Sequence, residues 1–228
     1  MGPSDWRRLL ANPATQWRQT KSAFEAAVAW EAARSKVRGL PPAVANVLDT
    51  EPVFREASLL LGIPEHQVEL VGGGHASQTD FWALLATGTG VVSVAVEAKA
   101  GEPFDKLVRE WLAESSDRSG KPKRLDQLCA ILEIARDDAL EVRYQLLHRP
   151  VAAILEAIRF QLPRALFLVH AFGDNAASFA DYRRWAQFFG VRAEPDQVQY
   201  VGVRSGIEFW IGWVGVPPAD DATVRAAV

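Results

Sequence analysis

Cysteine is almost missing from this chain. Cys129 is the only one in 228 residues. A single thiol excludes an intramolecular disulfide framework and a cysteine-rich zinc site, and its place in the apolar stripe of an expected helix reads as an inert core thiol. Long apolar runs are lacking too. None approaches the ~20 residues needed to span a bilayer, and the opening M-G-P-S-D-W-R-R has no signal-peptide core. Together these features read as a cytoplasmic protein. Charge of one sign is also scarce: 25 Lys and Arg against 28 Asp and Glu give a formal net charge of −3. That argues against a protein that coats a polyanion with its whole surface, and leaves room for a local basic groove. No G-x-S-x-G motif occurs. Gly72-Gly73-Gly74 lacks the Lys-Ser/Thr of a P-loop and reads as a turn. His75 and His170 have no companion at ligand spacing.

With 49% apolar and 23% charged residues, the composition is that of an ordinary globular protein, and residues 1–228 read as one domain. A helix is expected from Ser22, with Ser22 and Glu25 as a capping box and Gly39 as its stop. A second helix is expected over 53–61, then a short strand over 67–71. Strands over 79–87 and 91–99 flank Gly88-Thr89-Gly90 as a hairpin. Apolar spacing predicts helices through Phe104–Leu112, Leu125–Leu132 and Leu147–Leu162, the last kinked or restarted at Pro150. The basic stretch D-R-S-G-K-P-K-R (117–124) reads as a polar loop. A central strand over 165–172, a helix over 176–189 and a final hairpin complete the chain. The expectation is an α/β (α+β) fold, a mixed sheet flanked by helices. Phe209, Trp210 and Trp213 of the last hairpin either pack on the domain or offer a homodimer surface.

The stretch V-V-S-V-A-V-E-A-K carries the chemistry. Side chains alternate across a strand, so Val92, Val94, Val96 and Ala98 share one face and Ser93, Ala95, Glu97 and Lys99 the other. Asp80 begins the preceding strand and falls beside the end of the next. Two neighbouring carboxylates repel unless a positive charge sits between them. Lys99 supplies part of it and a divalent cation more. Mg²⁺, or Mn²⁺, is commonly held by one or two carboxylates, waters and substrate phosphates. Lys99 then orients the attacking water and stabilises the charged transition state. The plainer reading is an exposed Glu97–Lys99 pair at a strand end, worth little energetically.

The pattern Asp80…Glu97-Ala98-Lys99 resembles the PD-(D/E)XK nuclease superfamily, with its restriction-endonuclease-like core. The segments G-G-G-H-A-S-Q-T-D, V-E-A-K-A-G-E-P-F, S-G-K-P-K-R-L and R-Y-Q-L-L-H-R resemble an uncharacterised bacterial family assigned to that fold, over roughly residues 20 to 190. Thr79 stands where proline often precedes the aspartate. The resemblance implies Asp80 and Glu97 as metal ligands and Lys99 as the catalytic lysine, in a Mg²⁺-dependent nuclease acting on DNA, with RNA as the second choice. The N-terminal helices and C-terminal hairpin are then additions to the core. Glu31, in the apolar stripe of the first helix, is a further ligand, one half of an ion pair with a core arginine, or simply partly exposed. Glu102 is a ligand or a helix cap. Gln78, on the face of Asp80, is a candidate for water or nucleotide. Tyr144, Gln145, His148 and Arg149 form two i, i+4 pairs on one helix, and are candidates for substrate contact or for a packing network. The alternative function is an inactive nuclease-fold protein serving as a nucleic-acid or protein interaction module.

Overall fold

The computed structural model describes residues 2–114 and 120–220. Among them, six strands form one sheet in the order β1-β2-β3-β4-β6-β5. The strands are β1 (Ser58–Val68), β2 (Ser77–Thr87), β3 (Gly90–Lys99), β4 (Arg164–Phe172), β5 (Gln197–Arg204) and β6 (Ile207–Val216). The first three form an antiparallel meander, β4 lies parallel to both β3 and β6, and β5 closes the far edge antiparallel to β6. The expected mixed sheet with flanking helices is what the chain forms.

Helices α1 (Pro3–Trp6), α2 (Pro13–Gln16), α3 (Ser22–Ala33) and α4 (Pro42–Leu48) precede the sheet. Between β3 and β4 run α5 (Val108–Ala113), α6 (Lys121–Leu132), α7 (Arg136–Ala139) and α8 (Gln145–Arg159), and α9 (Ala176–Gln187) follows β4. The central strands bury both faces. Val92, Val94, Val96 and Ala98 join Trp6, Trp30, Val44 and Phe54 in one core. Ala95, Phe167 and Val169 join Leu128, Leu147, Ile154 and Trp185 in the other. Cys129 is buried in that second core, as its stripe implied. Among the described residues no helix is long and apolar enough to cross a membrane.

Three local expectations fail for physical reasons. Residues 53–61 are not a helix: a 3-10 turn at Pro52–Phe54 leads into edge strand β1. A register shift between Leu59 and Leu61 breaks the alternation that would have marked the strand. Pro64 is tolerated because an edge strand has backbone positions free of ladder bonds. The Ser22/Glu25 capping box does not form. Glu25 is fully buried, and its two oxygens accept from the Thr20 N–H at 3.0 Å and the Ala219 N–H at 2.8 Å. Helix α8 is continuous through Pro150, so the helix does not restart there, and it packs on β3 and β4. Finally, Lys121–Arg124 of the expected loop form the first turn of α6, while 117–119 lie outside the described residues.

The terminal hairpin belongs to the domain: Phe209 and Trp213 are buried in one core and Trp210 in the other. Arg124 ties α6 to the triple-glycine turn, donating to the carbonyls of Val71 at 3.2 Å, His75 at 2.7 Å and Gly73. Here two backbones cross. A Cβ on Gly120 would stand 1.7 Å from the Gly72 carbonyl oxygen. Gly120→Ala is therefore expected to destabilise the fold by about 1–3 kcal/mol in urea unfolding. An unchanged midpoint would show that this crossing does not constrain α6.

Candidate active site

At one end of the sheet, β1, β2 and β3 bring three carboxylates into a row. Phe81 pairs with Val96, so Asp80 falls opposite Glu97. On the other side Pro64 pairs with Phe81 and His66 with Thr79, which sets Glu65 opposite Asp80. Glu65, Asp80, Glu97 and Lys99 line a cleft of about 570 Å³ together with Gln78, Glu102, Asp105, Gln145 and Arg149. The N-terminal segment, including Leu10, Gln16 and Lys21, forms part of the same wall.

Glu97 and Lys99 are not an exposed pair. They are 1% and 3% exposed. The Lys99 ammonium donates to Glu97 Oε1 at 2.8 Å and to Gln145 Oε1 at 3.0 Å, and lies 4.8 Å from the centre of the Phe104 ring. The other Glu97 oxygen accepts from Arg149 Nε at 2.7 Å. Burial alone would raise the Glu97 carboxyl, but Lys99 and Arg149 hold it below the usual range. Asp80 is differently placed. Its Oδ2 accepts from the Ala98 N–H at 2.6 Å. Burial, reinforced by the Glu97 charge, pushes its pKa up to about 7, against the opposing pull of Arg149 and Lys99. Glu65 is raised to about 8, first by burial and then by the charge of Asp80. Burial is the first cause of both shifts, so these two carboxyls are held away from water beside a clamped ion pair, an arrangement common at functional sites.

The candidate residues separate cleanly. Asp80, Glu97, Lys99, Gln78, Gln145 and Arg149 come together in the cleft. Tyr144 and His148 do not. Tyr144 stacks on Trp111 with ring centres 4.1 Å apart, and His148 Nδ1 lies 2.8 Å from Ser77 Oγ in the interior. Burial and nearby Arg149 hold His148 neutral, well below its ordinary pKa. His148 thus ties α8 to β2 and Tyr144 packs on α5, while the other i, i+4 pair faces the cleft. Glu31 is also elsewhere. It accepts from Trp6 Nε1 at 2.8 Å and lines a separate groove with Trp30 and Phe81. The part of α3 that reaches the cleft is its first turn, Ser22 and Ala23, roughly 12 Å back along the helix axis from Glu31. Glu102 lines the cleft and caps no helix. Its Oε2 is buried without a hydrogen-bond partner among the described residues. Glu65 carries no signal in the amino-acid order. Its backbone is left-handed, with φ 53°, which interrupts alternation, so only the pairing of β1 with β2 reveals it.

Residues 1–218 match the family described as "Domain of unknown function (DUF6946)". The chain belongs to this family. A search of the curated proteins gave no match, and neither did a search of the solved structures. Membership in DUF6946 extends over nearly the whole chain, including every cleft residue named above.

Two outcomes follow for stability. The raised carboxyls of Asp80 and Glu65 favour the folded state fully below the unfolded values of 3.8 and 4.5, and that contribution is lost as pH rises through about 7 and 8. With chelator present, this contribution pulls the melting temperature down between pH 5 and pH 8, while the buried neutral His148 and His170 pull it up towards their unfolded value of 6.5, so the slope of the parent should be more negative than that of Asp80→Asn. An equal slope in parent and variant would contradict the burial of this carboxyl. Arg149→Met leaves Glu97 with one cation, and should cost about 3–5 kcal/mol in chemical denaturation.

Proposed function

We propose that this chain is a metal-dependent phosphodiesterase of the PD-(D/E)XK type, acting on DNA. The observation that carries the reading is the meeting of Asp80 with Glu97-Ala98-Lys99 at the junction of two adjacent strands, inside a cleft. The mixed sheet and its flanking helices are compatible with a restriction-endonuclease-like core carrying added N-terminal helices and a C-terminal hairpin.

The donor set fits a divalent cation in part. Among the described residues no three acidic, histidine or cysteine side chains converge closely enough to hold one by themselves. Mg²⁺ or Mn²⁺ needs only one or two carboxylates, with water and substrate phosphate completing the shell. The hydrogen bonds of the described residues engage only one oxygen of Asp80, leaving Oδ1 as the donor toward the cleft. The cleft carries five carboxylates against three cationic side chains, so a phosphodiester meets repulsion there unless that excess is neutralised. A bound divalent cation would supply that charge and acidify a water.

The remaining chemistry belongs to the chain's own groups. Lys99 is fixed on two sides, by Glu97 and by Gln145, and presents one positive charge at the cleft wall. There it orients the attacking water and offsets charge on the phosphoryl oxygens as the new P–O bond forms and the old one breaks. Gln145 also accepts from the Asp105 N–H at 2.9 Å, which couples α8 to the loop after β3. Gln78 and Arg149 stand where a phosphate or nucleotide would be contacted.

The decisive experiment is cleavage of linear duplex and single-stranded DNA with Mg²⁺ or Mn²⁺, comparing the parent with Lys99→Ala. The expected result is cleavage by the parent and a loss of about 10²–10⁴-fold in the variant. No cleavage of either substrate by the parent would defeat the reading. Equal cleavage by both proteins would place the chemistry elsewhere.

A further inference from the structure

The PD-(D/E)XK resemblance implies Asp80 and Glu97 as the ligands. The hydrogen bonds around the cleft divide the carboxylates differently. Glu97 has both oxygens engaged by cations, Lys99 Nζ at 2.8 Å and Arg149 Nε at 2.7 Å. Drawing Glu97 into a coordination shell would strip two buried cations of their shared counterion. Leaving a buried charge uncompensated is strongly unfavourable. Asp80 and Glu65 are under no such claim. Asp80 gives one oxygen to the Ala98 N–H and Glu65 gives Oε2 to Gln78 Nε2 at 2.8 Å. Each keeps one oxygen that no described group binds, on side chains lining the same cleft.

We propose that Glu65, facing Asp80 across the β1–β2 pairing, is the second carboxylate of the cation site, and that Glu97 is the clamp that positions Lys99 and Arg149. This rests on the phosphodiesterase reading of the cleft. It changes which residues do what within it. The charges agree with the division. Lys99 and Arg149 more than offset Glu97; once Asp80 and Glu65 are both ionised, the three carboxylates exceed the two cations by one negative charge, at the Asp80–Glu65 end of the cleft. Gln78 then acts as a positioning residue, fixing Glu65 by one oxygen and leaving the other free. Its amide also lies 3.4 Å from the Leu9 carbonyl, so the N-terminal segment and the ligand are oriented through the same side chain. Two carboxylates with water and a substrate phosphate are a sufficient donor set for Mg²⁺ or Mn²⁺.

The test is Mn²⁺ titration of the full chain by calorimetry, with melting temperatures recorded in EDTA, for the parent, Glu65→Gln, Asp80→Asn and Glu97→Gln. Glu65→Gln and Asp80→Asn should each weaken Mn²⁺ uptake at least about tenfold. In EDTA, Glu65→Gln should melt no lower than the parent, because an amide oxygen still accepts from Gln78 and no carboxyl is left to bury. A folded Glu97→Gln should keep Mn²⁺ affinity within about threefold while losing stability. If Glu65→Gln takes up Mn²⁺ as the parent does while Asp80→Asn does not, Glu65 is not a ligand and the broader reading of the cleft stands. If Glu65→Gln weakens uptake but also melts lower in EDTA, its role is structural and the proposal is overturned. If the parent takes up no Mn²⁺, the proposal and the metal-dependent reading fall together. Should Glu97→Gln not fold, the Glu65→Gln comparison with the parent still decides the point.

Discussion

Glu97 is held by two cations from two directions, and the geometry of the cleft depends on that arrangement. Lys99 comes from its own strand, two residues on, because alternation puts both side chains on one face. Arg149 comes from α8, 52 residues later. Burying three ionic groups is costly unless each is paired, so the position of α8 over the sheet is set by charge as well as by packing. Ser93, on the same face of β3, donates to the Ala153 carbonyl at 2.9 Å and accepts from Trp82 Nε1 at 3.0 Å. The polar contacts therefore follow α8 along β3 from the interior to the cleft. A helix held in this way can aim Gln145 at a lysine without that side chain having to search for its geometry.

The same constraint separates stability from chemistry. The Glu97 triad is internally satisfied. Asp80 and Glu65 are left beside it without a cation bound to either, their pKa values raised first by burial and then by a neighbouring carboxylate. Functional sites commonly carry such unpaired acidic groups, because a ligand pairs them on binding. The neutral His148 is the opposite case. It is buried in the same helix but spent on a hydrogen bond with Ser77, and it contributes position without charge.

Much of this can be read from the amino-acid order, and the failures have identifiable causes. The β2–β3 hairpin is visible because glycine turns separate two runs of strong strand formers. The face shared by Glu97 and Lys99 follows from a period of two. The central strand over 164–172 is a plain apolar run. Edge strand β1 is hidden because Leu59-Leu60-Leu61 does not alternate, the register shifts within it, and Pro64 suggests a break. Losing β1 meant losing Glu65, whose importance arises only from what lies opposite it. Glu31 misled for a related reason. A helix stripe predicts which side of a helix a residue occupies, but not how far along the axis the cleft lies. For Tyr144 through Arg149 the spacing marks the helix turn and leaves the division of labour open. Which pair meets the cleft is decided by the angle at which α8 crosses the sheet.

The carboxylate of Glu25 reaches a residue 194 positions away in sequence: it binds the Thr20 N–H just before α3 and the Ala219 N–H beyond β6. Residues 21–23, next to that staple, line the cleft. During synthesis the N-terminal segment leaves the ribosome long before Ala219 does. The sheet meander that carries the acidic row has all its strands well before the staple has both its ends. The wall facing that row therefore gains this tie only once residue 219 has been made. A nascent chain stalled short of residue 219 would carry Asp80, Glu97 and Lys99 in an unfinished cleft.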